Sequence, residues 1–328
     1  MTSERLLRVL ADGRTHSGEE LARDFGVTRA AIWKQVGKLP EWGLEVEAVP
    51  GAGYRLARRI DLLDGDTLRA TLAPEVAARL ARLEVFTELG STNRHLLAMP
   101  PPPVGKLDVC VAEFQTAGRG RRGRRWHVPL GAGVCLSVGW QFADLPAELS
   151  ALTLAVGVVV RRVLKSVAGL DIALKWPNDL VFDERKLGGI LLELSAEAQG
   201  GSHVVVGIGL NVALPPELLP TLSDWPCGAV DLATALGSEP PSRVALVGAL
   251  VNALAELFAA YPRTGFAAYR SDWRAGDFLR GRAVHLDDAA GAVAGTALGI
   301  DPDGALLIET TSGVRRRVVA GDVSVRSD

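Results

Sequence analysis

The chain has 328 residues, enough for two or three domains, with 36 Lys and Arg against 38 Asp and Glu and a formal charge of −2. That balance excludes a polybasic or strongly acidic protein, so any contact with a polyanion has to come from a local basic surface. Cys110, Cys135 and Cys227 lie far apart without metal or disulfide spacing, and the most apolar run, Ala151 to Val160, stops at Arg161-Arg162, short of the roughly 20 residues a bilayer crossing needs. A soluble, cytoplasmic protein without a membrane partner is expected.

Residues 1–61 are expected to form a winged helix-turn-helix domain. Leu21, Ala22 and Phe25 give one short apolar helix face, Gly26 breaks it, and Thr28 is placed to cap a second helix. In that helix Ile32, Val36 and Leu39 recur at helical spacing, which leaves Arg29, Trp33, Lys34 and Lys38 on the remaining surface with no acid among them. A DNA major groove is the natural partner for such a face, with Thr28, Arg29, Trp33, Lys34 and Lys38 as its contacts. Leu44, Val46 and Ala48 alternate, Pro50 to Gly53 turns, and Tyr54 with Leu56 returns, as in a β-wing. A packing or dimerisation module is the alternative for this segment.

Residues 62–273 alternate apolar strand-like runs with helical ones and are expected to form a mixed-sheet α/β domain. Strands are predicted at Val109 to Phe114, Val134 to Val138, Ile172 to Trp176, Gly189 to Leu194 and Val204 to Ile208, and helices at Ser150 to Val167 and Ser242 to Tyr261. Residues 274–328 switch to short strands at Ala283 to Leu286, Val293 to Leu298, Ala305 to Glu309 and Arg315 to Val319. Their turns at Asp287-Asp288, Asp301 to Gly304 and Thr311 to Gly313 are spaced as in a small β-barrel. The whole reads as an α+β multidomain protein.

Within the central segment, Gly118 to Trp126 holds five arginines, three glycines and no acid. Glycine lets backbone N–H groups approach a ligand and arginine supplies forked cationic donors, a combination suited to carboxylate or phosphate. Gly118, Gly120 and Gly123 spell G-x-G-x-x-G, but Arg124, Arg125, Trp126, His127 and Pro129 follow where a Rossmann fingerprint needs an apolar helix, so a dinucleotide fold is rejected. A solvated basic loop is the plainer reading of these arginines. Four further segments accompany them: Ser91-Thr92-Asn93, Lys175 to Asp179, Lys186 to Ile190 and Gly207 to Asn211. Each taken singly reads as a cap, a turn or strand packing; the two bare glycine strands together could face a flat ligand.

Together, in this order, the five segments closely resemble the biotin–protein ligase family, and with the helix-turn-helix they are similar to its bifunctional members, which also repress biotin-synthesis genes. The resemblance covers essentially the whole chain. It implies a central domain related to class II synthetase-like ligases and an SH3-like C-terminal barrel. It also implies ATP-dependent conversion of biotin to biotinyl-5′-adenylate, transfer of the biotinyl group to a lysine of a biotin carboxyl carrier protein, and repression at operator DNA with the adenylate as corepressor and homodimerisation on adenylate binding.

The same resemblance distributes the site residues. Lys186, Arg119, Arg121 and Asp179 match catalytic positions, with Asp179 the Mg²⁺ ligand. Biotin is assigned to Ser91, Thr92, Asn93, Gln115, Arg119, Gly120, Arg121 and Lys186, with Gly188 and Gly207 beneath its bicycle; ATP or adenylate is assigned to Arg121, Trp126, Lys175, Asn178, Asn211 and Trp225. The proline-rich loop around Trp225 departs from the family pattern. The alternatives are a lipoate or octanoyl ligase, a ligase without DNA-binding regulation, and a DNA-binding biotin sensor that does not catalyse.

Overall fold

The computed structural model describes residues 3–144, 146, 148–196, 202–219, 228–288 and 291–325. Near the N-terminus, α1 (Ser3–Leu10), α2 (Gly18–Phe25) and α3 (Arg29–Val36) are followed by a hairpin of β1 (Val46–Val49) and β2 (Gly53–Leu56). Ser17 caps α2, Gly26 ends it in the left-handed conformation, and the Thr28 hydroxyl accepts from the Ala31 N–H at 3.2 Å to start α3. The expected helix-turn-helix and wing are therefore present. Helix α1 is an element beyond those expected, and its Leu6, Leu7 and Leu10 supply much of the buried core. The second helix is shorter than the Ile32, Val36 and Leu39 spacing predicts: α3 stops at Val36, and Lys38 and Leu39 follow in a separate short turn.

The central region contains α4 (Gly65–Ala70), α5 (Pro74–Ala77), β3 (Leu80–Leu89), α6 (Thr92–Ala98), β4 (Leu107–Gln115), β5 (Gly133–Phe142) and α7 (Leu149–Ala168). It continues through β6 (Ala173–Lys175), β7 (Asp179–Phe182), β8 (Arg185–Ala196), β9 (Ser202–Asn211), α8 (Leu232–Leu236), α9 (Arg243–Thr264) and α10 (Arg270–Gly276). Seven strands form one sheet in the order β3-β4-β5-β9-β8-β7-β6, parallel only between β3 and β4. Strand alternation divides the sheet's two faces. Val204, Val206, Ile208 and Leu210 of β9 join the core under α7 and α9, while Val205, Gly207 and Gly209 turn toward α6 and a cavity. Helix α9 is long and apolar enough to cross a membrane by composition, but Leu246, Val247, Leu250, Leu254 and Phe258 are buried against the sheet, as in a core helix. The predicted strands all occur, most of them longer; β3 and β7 were not anticipated.

The last five strands, β10 (Ala283–Asp288), β11 (Gly291–Ile300), β12 (Leu306–Thr310), β13 (Arg315–Val318) and β14 (Asp322–Val325), form an antiparallel sheet in the order β13-β12-β11-β10-β14. Among the described residues its two edge strands do not pair, so the expected barrel is not closed. Two junctions fix the parts. Leu130 donates to the Trp42 carbonyl, and Phe114 and Leu130 belong to the same buried cluster as the helix-turn-helix. At the other end, the Trp176 indole donates to the Gly304 carbonyl at 3.0 Å.

Candidate active site

A cavity of about 720 Å³ lies on the glycine-bearing face of the central sheet, beneath the segment Gly118–Trp126 and beside β14. Its floor is bare because each glycine makes room for a neighbour: a Cβ on Gly207 would collide with the Asn93 amide, and one on Gly209 with the Trp126 indole. The arginine segment is a small strap. Trp126 N–H donates to Gly118 O at 3.0 Å, Gly120 N–H to Arg124 O at 2.8 Å, and Arg122 turns the chain at φ 53°.

One end of the cavity is neutral and polar. The Thr92 N–H donates to Gln115 Oε1 at 2.9 Å, and Ser137 Oγ lies 2.7 Å from Thr92 Oγ1 and 2.6 Å from Asn93 Oδ1. Asn93 Nδ2 donates to Leu191 O at 3.1 Å and to Glu193 Oε2 at 2.9 Å. Ser91, Thr92, Asn93, Gln115 and Ser137 are buried, so these contacts satisfy groups that water cannot reach and hold the array rigid. Cys135 also borders this end; burial pushes its thiol pKa up to about 11, so it remains uncharged and unreactive.

The other end is charged. Lys186 Nζ is 2.8 Å from Asp179 Oδ1, and Lys175 Nζ is 3.8 Å from Asp179 Oδ2. The β6–β7 turn places Lys175 and Asp179 opposite each other, and β8 returns Lys186 beside them. Asn178 donates through Nδ2 to Ile190 O at 2.8 Å and accepts at Oδ1 from Arg121 Nη1 at 3.4 Å, which ties the strap to this end.

The structure thus brings together around one cavity Ser91, Thr92, Asn93 and Gln115, the strap residues Arg119, Gly120, Arg121 and Trp126, and Lys175, Asn178, Asp179, Lys186 and Gly207. Two expected residues stand elsewhere. Gly188 does not line the cavity, because its Cβ position points at the Gly209 carbonyl and Leu180; the glycines of β8 and β9 that line it are its neighbour Gly189 with Gly207 and Gly209. Asn211 is spent on structure, donating to Val230 O at 3.0 Å and Lys186 O at 3.4 Å. Arg119 and Arg121 also part company: Arg121 reaches Asn178, whereas Arg119 Nη1 pairs with Glu193 Oε1 at 3.1 Å beside the neutral network. Trp225 lies outside the described residues.

Sequence reasoning missed Ser137, Glu193 and the C-terminal contribution of Val323, Ser324 and Val325. Glu193 had a signal: it follows Gly189 and Leu191 at strand period, so it shares their face. Outside the cavity lining, Arg29, Trp33, Lys34 and Lys38 are exposed together on α3 and the turn after it, with Trp33 69 % exposed, and Thr28 serves as the cap.

A neutral hydrogen-bonding recess joined to a lysine–carboxylate cluster under a cationic strap, all carried beside a winged helix-turn-helix, defines a carboxylate-activating ligase with a DNA-binding module. Residues 86–211 match the biotin/lipoate A/B protein ligase family, residues 2–55 an HTH domain and residues 280–326 the biotin protein ligase C-terminal domain. The chain is 36 % identical to the bifunctional ligase/repressor BirA of Salmonella typhimurium and 35 % identical to that of Escherichia coli, in each case over 98 % of this chain and 97 % of the relative. It superposes on the biotin protein ligase from Aquifex aeolicus in complex with biotin and ATP with a TM-score of 0.60, at 27 % identity, covering 76 % of this chain and all but 1 % of that one, which is 99 % covered. The chain belongs to the biotin–protein ligase family, in its bifunctional ligase/repressor branch.

Proposed function

We propose that this protein joins biotin to ATP in the central cavity, forming biotinyl-5′-adenylate and pyrophosphate, and then passes the biotinyl group to a lysine of a biotin carboxyl carrier protein. The observation that carries this reading is the polarity of the cavity. Its neutral end suits the ureido ring, which has one carbonyl acceptor and two N–H donors, and its charged end suits a carboxylate meeting a triphosphate. In the first step a biotin carboxylate oxygen attacks the α-phosphorus and the bond to the bridging oxygen breaks, releasing pyrophosphate. Both reactants are anions, so Lys186 and Arg121 lower the cost of bringing them into contact. Lys175 adds charge on the side of the leaving group, and Trp126, seated on Gly209, supplies an aromatic surface for adenine.

Asp179 is the carboxylate that would hold a Mg²⁺ arriving on nucleotide phosphates, because Mg²⁺ takes one or two protein oxygens and keeps the phosphates as its other ligands; the Asn178 amide oxygen is engaged by Arg121 Nη1. Such an ion would neutralise triphosphate charge. In the second step the carrier lysine attacks the mixed anhydride and AMP leaves.

The N-terminal 1–61 domain is read as the operator-binding half of a repressor, with the adenylate as corepressor and two protomers binding a two-part site. Thr28, Arg29, Trp33, Lys34 and Lys38 are its DNA-facing residues. Residues 62–273 form the catalytic domain, of the kind related to class II synthetases, and 274–328 an SH3-like module that closes one side of the cavity. Incubation with Mg²⁺-ATP and labelled biotin or lipoate in parallel, followed by a carrier domain, tests the ligase reading: pyrophosphate release with biotin alone supports it. Release with lipoate and not with biotin refutes it.

A further inference from the structure

We infer that Glu193 is a positioning residue that anchors the arginine strap over the ring end of the cavity, with Arg119 as its latch rather than as a cation for the reacting carboxylate. This rests on the ligase reading and specifies how its site closes. Glu193 lies on β8 in line with Gly189 and Leu191, and its two carboxylate oxygens do different jobs. Oε2 accepts from Asn93 Nδ2 at 2.9 Å, and Oε1 pairs with Arg119 Nη1 at 3.1 Å.

The first contact fixes what Asn93 can offer. With one amide proton on Leu191 O and the other on Glu193, Asn93 has no donor left for a ligand and presents its oxygen, which also receives Ser137 Oγ. The second contact fixes the strap. Arg119 precedes the glycine and turn residues that carry Arg121, and the strap's own hydrogen bonds join Gly118 to Trp126 and Gly120 to Arg124, so it moves as one hairpin. Such a hairpin needs attachment at both ends of the cavity to span it. Arg121 to Asn178 is one attachment at the charged end, and Arg119 to Glu193 is one at the neutral end. A guanidinium committed to Glu193 beside Asn93 stands at the ring side of the site, away from the Lys186–Asp179 pair.

The division of labour is testable with biotin and its alcohol analogue, which has the same ring and tail but no carboxylate. The full-length protein and the variants Glu193→Gln, Arg119→Gln, their double mutant and Arg121→Ala are compared for affinity by calorimetry and for tryptic cleavage within the strap. Glutamine at 193 still accepts from Asn93 and loses only the charge pairing. The expected result is that Glu193→Gln weakens both ligands equally, by about tenfold, the step from a charge-assisted to a neutral contact. Arg119→Gln should do the same, the double mutant should be no worse than either single, and cleavage should speed up in each; Arg121→Ala should weaken only the acid. Additive singles, a loss confined to the acid in Glu193→Gln, or wild-type affinity in that variant overturns the anchor. Should Glu193→Gln fail to fold, Glu193→Asp, which draws the charge back by one methylene, reads the same coupling to Arg119→Gln. If the wild type itself binds biotin and releases pyrophosphate while the variants show no coupling, the anchor alone fails; a wild type that does neither removes the ligase reading.

Discussion

Asp179 is held between two lysines, with Lys186 Nζ at 2.8 Å from one carboxylate oxygen and Lys175 Nζ at 3.8 Å from the other. All three are half-buried or buried, so the cluster is held in place by the fold, and on the proposed reading its charges stand where negative charge must accumulate. Lys186→Gln removes a cation and leaves Asp179 with Lys175 alone. The expected outcome is a fall in adenylate formation of roughly 10²–10³-fold, read as pyrophosphate release under single-turnover conditions, with much less change in biotin affinity. A loss of biotin affinity with an unchanged rate at saturating substrates would show that Lys186 serves binding only.

How much of this was legible beforehand follows from the kind of signal each element leaves. The winged helix-turn-helix was readable because Thr28, Gly26 and the Ile32/Val36 spacing are local, and a local cap or break decides local structure. Strand β3 was not, since its residues are half-exposed and its Arg82, Glu84 and Glu88 obscure the apolar pattern of an edge strand. The site's charged end was carried by short motifs, whereas Ser137 and Glu193 matter only because β5 and β8 bring them to Asn93 from 44 and 100 residues away. Gly188 was misplaced by a single strand position, which is enough to send a residue to the opposite face. The open edge of the C-terminal sheet reflects the lack of a β13–β14 pairing among the described residues, which no turn sequence encodes.

Gly209 is the seat of the Trp126 indole, and any Cβ there strikes the ring. Gly209→Ala should therefore displace the aromatic wall and raise KM for ATP by about tenfold to a hundredfold, because misplacing one wall of a site by an ångström is that costly. Biotin affinity measured without nucleotide should stay near the wild-type value. A variant that loses biotin affinity first would place Trp126 on the biotin side.

Arg29 and Lys34 are exposed on α3, where the Thr28 cap sets the start of the helix. If they touch phosphates, Arg29→Ala and Lys34→Ala should each weaken DNA binding across sequences and lower the slope of log affinity against log salt by about one. Trp33→Ala should change the preference among operator sequences instead. Unchanged salt slopes would assign the helix to a protein partner.

Asp277 lies where the central and C-terminal regions meet. Its Oδ1 accepts from the Leu279 N–H at 3.0 Å, and its Oδ2 is buried without a hydrogen-bond partner. Burial raises its pKa, partly offset by that backbone contact. A group whose folded pKa is raised stabilises the fold below its unfolded pKa, about 3.9, and loses that contribution as pH climbs through the folded value. Asp277→Asn keeps the Leu279 contact and cannot ionise, so its melting temperature should gain on the wild type from about pH 4 upward and then level off. A difference that is constant with pH would mean Asp277 is not the titrating group.

Glu113 and Arg243 form a buried pair at the join between the helix-turn-helix and the central sheet, with side chains only 3 % and 4 % exposed. Arg243 Nη1 donates to Glu113 Oε2 at 2.5 Å, its Nη2 donates to the Asp61 carbonyl, and Glu113 Oε1 accepts from the Leu63 N–H at 2.5 Å. The pair therefore grips the chain on both sides of residue 62, at the exit from the N-terminal domain. Removing one partner strands the other's charge in the interior, which costs about 3–5 kcal/mol, while replacing both with apolar residues of similar volume is close to neutral. Glu113→Gln or Arg243→Met should accordingly lower stability by that amount in urea unfolding, and Glu113→Leu with Arg243→Met should restore most of it. Restored stability without restored operator affinity would show that the grip sets the orientation of the DNA-binding module, because the double variant recovers packing but has no donor left for the Asp61 carbonyl.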